Sequence, residues 1–216
     1  QGEEILNALL NLSILVHHGA EGSVSIFPPR EHCNSQGVND MGCAPEFLPG
    51  YRSTTDSSAL SSLAKEWGID SLQFSGDDPA NDLIENCTNG TIKFLHIAGE
   101  DPVHSYYKGA EIKNALQVVP FLVVQDIYMT ETAKFADIVL PTTTSVEKEG
   151  TFTNMTRHVQ KVVPATPPQF QSRTDHDIFV QIAEAFGNKL KNSSVTEVQD
   201  EISKTVPIYN GTLPGT

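Results

Sequence analysis

The sequence predicts an α/β fold, a Rossmann-like and mostly parallel sheet flanked by helices, followed by a β-ribbon and helix of a neighbouring domain. Three observations carry that prediction. Two short apolar runs, Thr91–Ala98 and Val119–Val124, have the length and composition of buried strands. Segments with apolar side chains at helical spacing precede and separate them. Each run also ends abruptly in polar or turn-forming residues, Gly99-Glu100-Asp101-Pro102 after the first and Gln125-Asp126 after the second. Strand and helix alternating in this way favour parallel pairing, because the crossover needs a helix to cover the sheet.

Taken in order, residues 3–17 carry Ile5, Leu6, Leu9, Leu10, Leu12, Ile14 and Leu15 at helical spacing, and His17, His18 and Gly19 stop the run. A loop rich in Gly, Pro and Asn extends to about Tyr51, long enough to predict a functional role. Ser57–Trp67 reads as a helix ended by Gly68, and Asp78–Asn86 as another after the turn at Gly76-Asp77-Asp78-Pro79. Between and after the two strands, Lys108–Gln117 and Thr130–Ala136 read as helices, and Asp137–Leu140 as a third strand closed by Pro141. Ser145–Val163 lacks a helical period and reads as a loop entering an extended ribbon. Asp175–Phe186 is an amphipathic helix ended by Gly187. The expected units are a helix of a preceding domain over 1–19, the α/β domain over 20–143, ribbon and helix over 144–190, and a peripheral polar tail over 191–216.

The chain has 216 residues, 14 Lys and Arg against 27 Asp and Glu, and a formal net charge of −13. That charge opposes a nucleic-acid partner, whose phosphates reward clustered Lys and Arg. No apolar stretch approaches bilayer-spanning length. The N-terminus has no basic region ahead of its apolar run, so no secretory leader is expected. The chain opens in a helix already under way, as a piece of a longer chain would. Its three cysteines, Cys33, Cys43 and Cys87, form no CxxC pair and no disulfide framework, and a cytoplasmic setting is expected.

Three constellations could carry chemistry. In parallel sheets ligands bind beyond the carboxyl ends of the strands, where Asp101, Ser105, Gln125 and Asp126 fall. A carboxylate and an amide there can hydrogen-bond a sugar or a heterocycle, while the simpler reading is a turn and a helix N-cap. The loop 29–42 is dense in polar side chains and glycine, so it is either mobile or wrapped around a polar ligand. In it Arg30 has the planar fork that suits a carboxylate or phosphate, or pairs with a surface carboxylate such as Glu31. Thr142-Thr143-Thr144 and Gly150 could hold phosphate oxygens, or simply lead into a ribbon. Asp175, opening a helix, reads first as a routine cap. No Walker A loop, GxGxxG, HExxH or Gly-x-Ser-x-Gly is present.

In sequence order, Asn34-Ser35-Gln36-Gly37, Asp40-Met41-Gly42, Pro49-Gly50-Tyr51, Gly99-Glu100-Asp101-Pro102, Gln125-Asp126-Ile127-Tyr128-Met129-Thr130-Glu131-Thr132-Ala133, Ala136-Asp137-Ile138-Val139-Leu140-Pro141, Glu149-Gly150-Thr151-Phe152-Thr153-Asn154 with Arg157, and Arg173-Thr174-Asp175 resemble the molybdopterin oxidoreductase superfamily. The nearest branches are the molybdenum or tungsten formate dehydrogenases and the related large iron–sulfur subunit of NADH–quinone oxidoreductase (complex I).

The resemblance implies a pair of molybdopterin guanine dinucleotides holding molybdenum or tungsten in the full protein. Asp101, Ser105, Gln125 and Asp175 would lie along one dinucleotide, with Thr142 and Gly150 nearby. The loop with Arg30, His32, Gln36 and Gly37 would face the pterin and the metal. Arg30 matches the arginine that orients the substrate carboxylate in formate dehydrogenases. His32 stands where those enzymes commonly have Gln, and Glu31-His32-Cys33 replaces their usual Gly-Gln-Asn. The family's iron–sulfur cysteines, the Cys or selenocysteine on the metal and the closing β-barrel lie outside this segment. Alone it is therefore expected to be inactive. Its partners would be the remainder of the parent subunit, electron-transfer subunits and formate, in the cytoplasm or at the inner face of the membrane within a complex. The alternative implied function is a structural, cofactor-free part of the complex I subunit.

Overall fold

A computed structural model describes residues 2–19, 26–27, 29, 32–73, 82–188, 190 and 194–211. The chain opens with helix α1 (Gly2–Gly19). Next come α2 (Ser35–Asp40) and a small antiparallel pair, β1 (Phe47–Leu48) and β2 (Arg52–Ser53). Helix α3 (Ser57–Trp67) is fixed at both ends. The Asp56 carboxylate accepts from the Ser58 and Ala59 amides at 2.8 and 3.3 Å, and Gly68 takes the left-handed conformation that ends helices. Its apolar face, Ala59 and Leu63, packs on Leu48 with Trp67 and Leu72 alongside.

The central unit contains α4 (Leu83–Thr88), β3 (Leu95–Ala98), α5 (Pro102–Ser105), α6 (Gly109–Leu116), β4 (Leu122–Asp126), a 3-10 turn at Ala133–Phe135 and β5 (Ile138–Pro141). The strands form a parallel sheet in the order β3-β4-β5. Leu95 pairs with Leu122 and Ile97 with Val124, so these four side chains share one face. Ile112 and Leu116 of α6 pack there with Ala133. The other face carries His96, Val123 and Gln125, and it is covered by α7 (Asp175–Ala185), whose Phe179 ring lies 5.7 Å from that of His96. The sheet is therefore covered on both faces, as parallel strands require. The α/β class read from the sequence holds.

Several elements depart from the expected layout. The strands begin later than their apolar runs, and the segment expected to be helical over 130–136 is mostly turn. Only the second half of the helix expected over 78–86 lies among the described residues, and the observed α4 runs on to Thr88. The long loop contains α2 and the β1–β2 pair. The boundary expected at 143 is crossed by α7, which completes the sheet's second layer. The ribbon is present as the antiparallel pair β6 (Gly150–Thr153) and β7 (Val159–Val162). The tail expected to be peripheral instead forms α8 (Val195–Thr205), started by a Ser194/Glu197 capping box, and a 3-10 turn at Pro207–Tyr209. Val206 and Tyr209 are buried against Met41, Val159 and Ile202.

Candidate functional site

The carboxyl ends of the three parallel strands open onto a crevice of about 490 Å³ lined by Gly99, Gln125, Asp126, Thr142–Ser145, Lys148, Asp175 and Phe179, among others. Gly99 has φ +69°, and no atom lies within 4 Å of where a Cβ would sit, so the backbone is open to close approach. The centre of the site is a knot around Asp175. Its Oδ1 accepts from Gln125 Nε2 and from Thr142 Oγ1, both at 2.7 Å, and its Oδ2 is ion-paired to Lys148 Nζ. Burial pushes the Asp175 carboxyl up, but the hydrogen bonds from Lys148, Thr142 and Gln125 outweigh that and hold it below the usual carboxylate range.

Asp175 can serve the site because it does not cap its own helix. That task falls to Thr174, whose hydroxyl accepts from the Asp177 amide at 3.1 Å. Gln125 is fully buried. Asp175 accepts from its amide nitrogen, which leaves Oε1 without a hydrogen-bond partner. Thr143 Oγ1 is likewise buried and unpartnered. An unsatisfied buried acceptor costs about 1–3 kcal/mol, so these two crevice-lining atoms are candidate contacts for a polar ligand.

The other sequence-derived residues fall into different settings. Asp101 is not a side-chain N-cap. Its Oδ1 accepts from the Thr132 amide at 3.0 Å and from the Thr132 hydroxyl at 2.5 Å, tying the turn after β3 to the turn after β4. Burial pushes this carboxyl up, and the Thr132 bonds more than compensate and hold it low. Ser105 is exposed at the end of α5, and Gly150 opens β6. His32 is exposed, and Arg30 lies outside the described residues. Lys148 was not singled out from the sequence, where it reads as part of the charge run Glu147-Lys148-Glu149.

Gln36 and Gly37 belong to a second polar cluster. Gln36 Nε2 donates to Asp40 Oδ1 at 2.7 Å and to Tyr51 Oη at 2.9 Å. Tyr209 Oη donates to Asp40 Oδ2 at 2.9 Å. Because the phenol's only proton is committed there, the Thr153 hydroxyl, 2.6 Å away, donates to the phenol oxygen. Burial pushes the Tyr209 phenol up to about 12, and the adjoining Asp40 carboxylate adds to the effect. Of the loop expected to be mobile or wrapped around a polar ligand, the part from Asn34 to Cys43 bonds its own backbone, with Val38 donating to Asn34 and Met41 to Gly37. The side-chain oxygen Oδ1 of Asn34 accepts from the Thr153 amide at 2.8 Å, and a Cβ on Gly37 would meet that oxygen at 2.4 Å.

The sequence signature described as molybdopterin oxidoreductase matches residues 1–185. The chain belongs to the molybdopterin oxidoreductase family. It is 37% identical over 97% of its length to the F420-dependent formate dehydrogenase subunit alpha of Methanocaldococcus jannaschii, and 31% identical over 98% to formate dehydrogenase H of Escherichia coli K12. It spans only 31% and 30% of those relatives. Among solved structures, acetylene hydratase from Pelobacter acetylenicus aligns over 65% of this chain and 22% of its own, with a TM-score of 0.48 and 16% identity. Among the described residues no helix is long and apolar enough to cross a membrane.

Proposed function

We propose that this segment binds one molybdopterin guanine dinucleotide in the crevice beyond β3, β4 and β5, as part of a larger molybdenum or tungsten enzyme that oxidises formate to carbon dioxide. The observation that carries the reading is the Gln125–Asp175 pair. It fixes the amide of a crevice-lining residue by its nitrogen and leaves the oxygen a buried acceptor without a partner, in a family named for its pterin cofactor. Thr143 adds an unpartnered hydroxyl and Lys148 a cation, while Thr142, its proton given to Asp175, holds that carboxylate in place, a set that fits a heterocycle joined to anionic phosphates. Gly99 lets the ligand approach the main chain, and Asp101, which ties the surrounding turns together through Thr132, lies along the same dinucleotide. Ser105 would lie along the same dinucleotide, with Gly150 nearby, as the resemblance implies.

The metal would supply the two-electron chemistry, with iron–sulfur centres elsewhere in the parent protein receiving the electrons. Arg30 would orient the formate carboxylate by charge-assisted hydrogen bonds, with His32, Gln36 and Gly37 in the same loop. Formate as substrate follows from the Arg30 match and from the names of the relatives. The test is formate oxidation by the purified parent protein and by its Arg30→Ala variant. Loss of one charge-assisted carboxylate contact should raise KM for formate by roughly tenfold or more while leaving metal and pterin content unchanged. Unchanged formate kinetics in that variant would remove Arg30 from the reaction.

A further inference from the structure

The stretch Gln36-Gly37…Asp40-Met41-Gly42, in the loop that the resemblance places against the cofactor, is used in a different way by its buried members. Asp40 is 1% exposed and Tyr209 4%, and they meet although 169 residues separate them in sequence. Asp40 is the shared acceptor of this group, and the exposed Arg157 guanidinium also stands 4.0 Å from its Oδ1. Gln36 uses both amide hydrogens on Asp40 and Tyr51, Tyr209 donates to the other Asp40 oxygen, and Thr153 of β6 completes the set.

Backbone contacts reinforce it, since the Gly50 amide donates to the Asp40 carbonyl at 2.8 Å. Gly42 has φ +78°, and a Cβ there would lie 2.7 Å from the Leu48 and Pro49 backbone, so the turn after Asp40 closes only with glycine. Two non-glycine residues in the left-handed region, Tyr51 and Arg157, flank the group, with the Arg157 guanidinium 5.9 Å above the Tyr51 ring. Such strained conformations persist where surrounding structure over-determines them.

We propose that Asp40 and Tyr209 are positioning residues. They lock the α2 end of the loop to the ribbon and to the turn after α8, and so hold its described residues, 32–42, in one place for the reaction proposed above. This rests on the function proposed above for that loop. The lock gives a role to a buried carboxylate that stands two residues before an obligatory glycine. It also explains why the segment after α8 is folded into the core.

The experiment compares the intact parent protein with its Tyr209→Phe variant by amide hydrogen exchange and by formate kinetics. Removing the phenol leaves a buried carboxylate oxygen short of its donor. Exchange across 35–43 should then rise by roughly tenfold or more while β3, β4 and β5 keep their rates. KM for formate should rise roughly tenfold to a hundredfold with metal and pterin content unchanged. Unchanged exchange, or a rise spread equally over the sheet strands, overturns the lock. A localised rise with unchanged KM overturns its positioning role. Should the Phe variant fail to fold, Asp40→Asn keeps the shape with one acceptor oxygen and is read by the same two measurements. If the parent does not oxidise formate, the function proposed above fails and exchange alone decides the lock.

Discussion

Replacing Gln125 by Leu separates a ligand-holding residue from a packing residue. The side chain is fully buried, so an apolar residue of similar volume fits the same space. The variant loses the 2.7 Å hydrogen bond to the Asp175 carboxylate, worth about 1.5–3 kcal/mol, but it also removes an unpartnered buried oxygen that costs about 1–3 kcal/mol. The two nearly cancel, and the stability of cofactor-free protein should change by no more than about 1 kcal/mol. Cofactor retention should change far more. A ligand donor that loses the Oε1 acceptor forfeits about 1.5–3 kcal/mol, a weakening of roughly tenfold to a hundredfold. The assay pairs urea unfolding of protein from a host unable to make the pterin with pterin content from a competent host. Full pterin content in a variant that is several kcal/mol less stable would refute the reasoning, because Gln125 would then be only a structural residue.

Two further outcomes follow from geometry already described. Gly42→Ala should destabilise by more than the roughly 1–2 kcal/mol of a left-handed alanine, since its Cβ would strike backbone at 2.7 Å, whereas Gly99→Ala, with open space around it, should cost only about that strain; equal costs on urea titration would contradict the packing. Asp101 and Asp175 have carboxyls held below their ordinary value, so their contribution is present above the unfolded value near 3.9 and is lost as pH falls through the lower folded value. Lys148→Met removes one group that holds Asp175 low, and acid unfolding of the 216-residue chain should then begin at higher pH. A transition that stays in place or moves to lower pH would show that the ion pair carries no weight.

What was legible in the sequence was what local pattern determines. Apolar runs broken by Gly99 and by Gln125-Asp126 placed the strands and their carboxyl ends, which is why Gln125 and Thr142 could be named before any coordinates. Asp175 was also named, but its simplest reading as a cap failed because Thr174, one residue earlier, takes that task. Lys148 was hidden because nothing in a run of alternating charges ties it to a carboxylate 27 residues on. Helix α2 has six residues, too few for a helical period to show. The structured tail left signals that could have been read. Ser194 and Glu197 stand at capping-box spacing, and Val195, Val198 and Ile202 recur at helical spacing before Val206 and Tyr209. The Asp40–Tyr209 bond left none, since long-range pairing of two polar residues has no local signature.

The most direct measurement is the metal and pterin content of the intact parent protein, purified without air from its native host. The account expects molybdenum or tungsten near one per protein and pterin in the guanine dinucleotide form. A protein that carries iron–sulfur clusters but neither metal nor pterin would contradict it, and would identify the crevice beyond β4 as a relic of a binding site within a structural subunit.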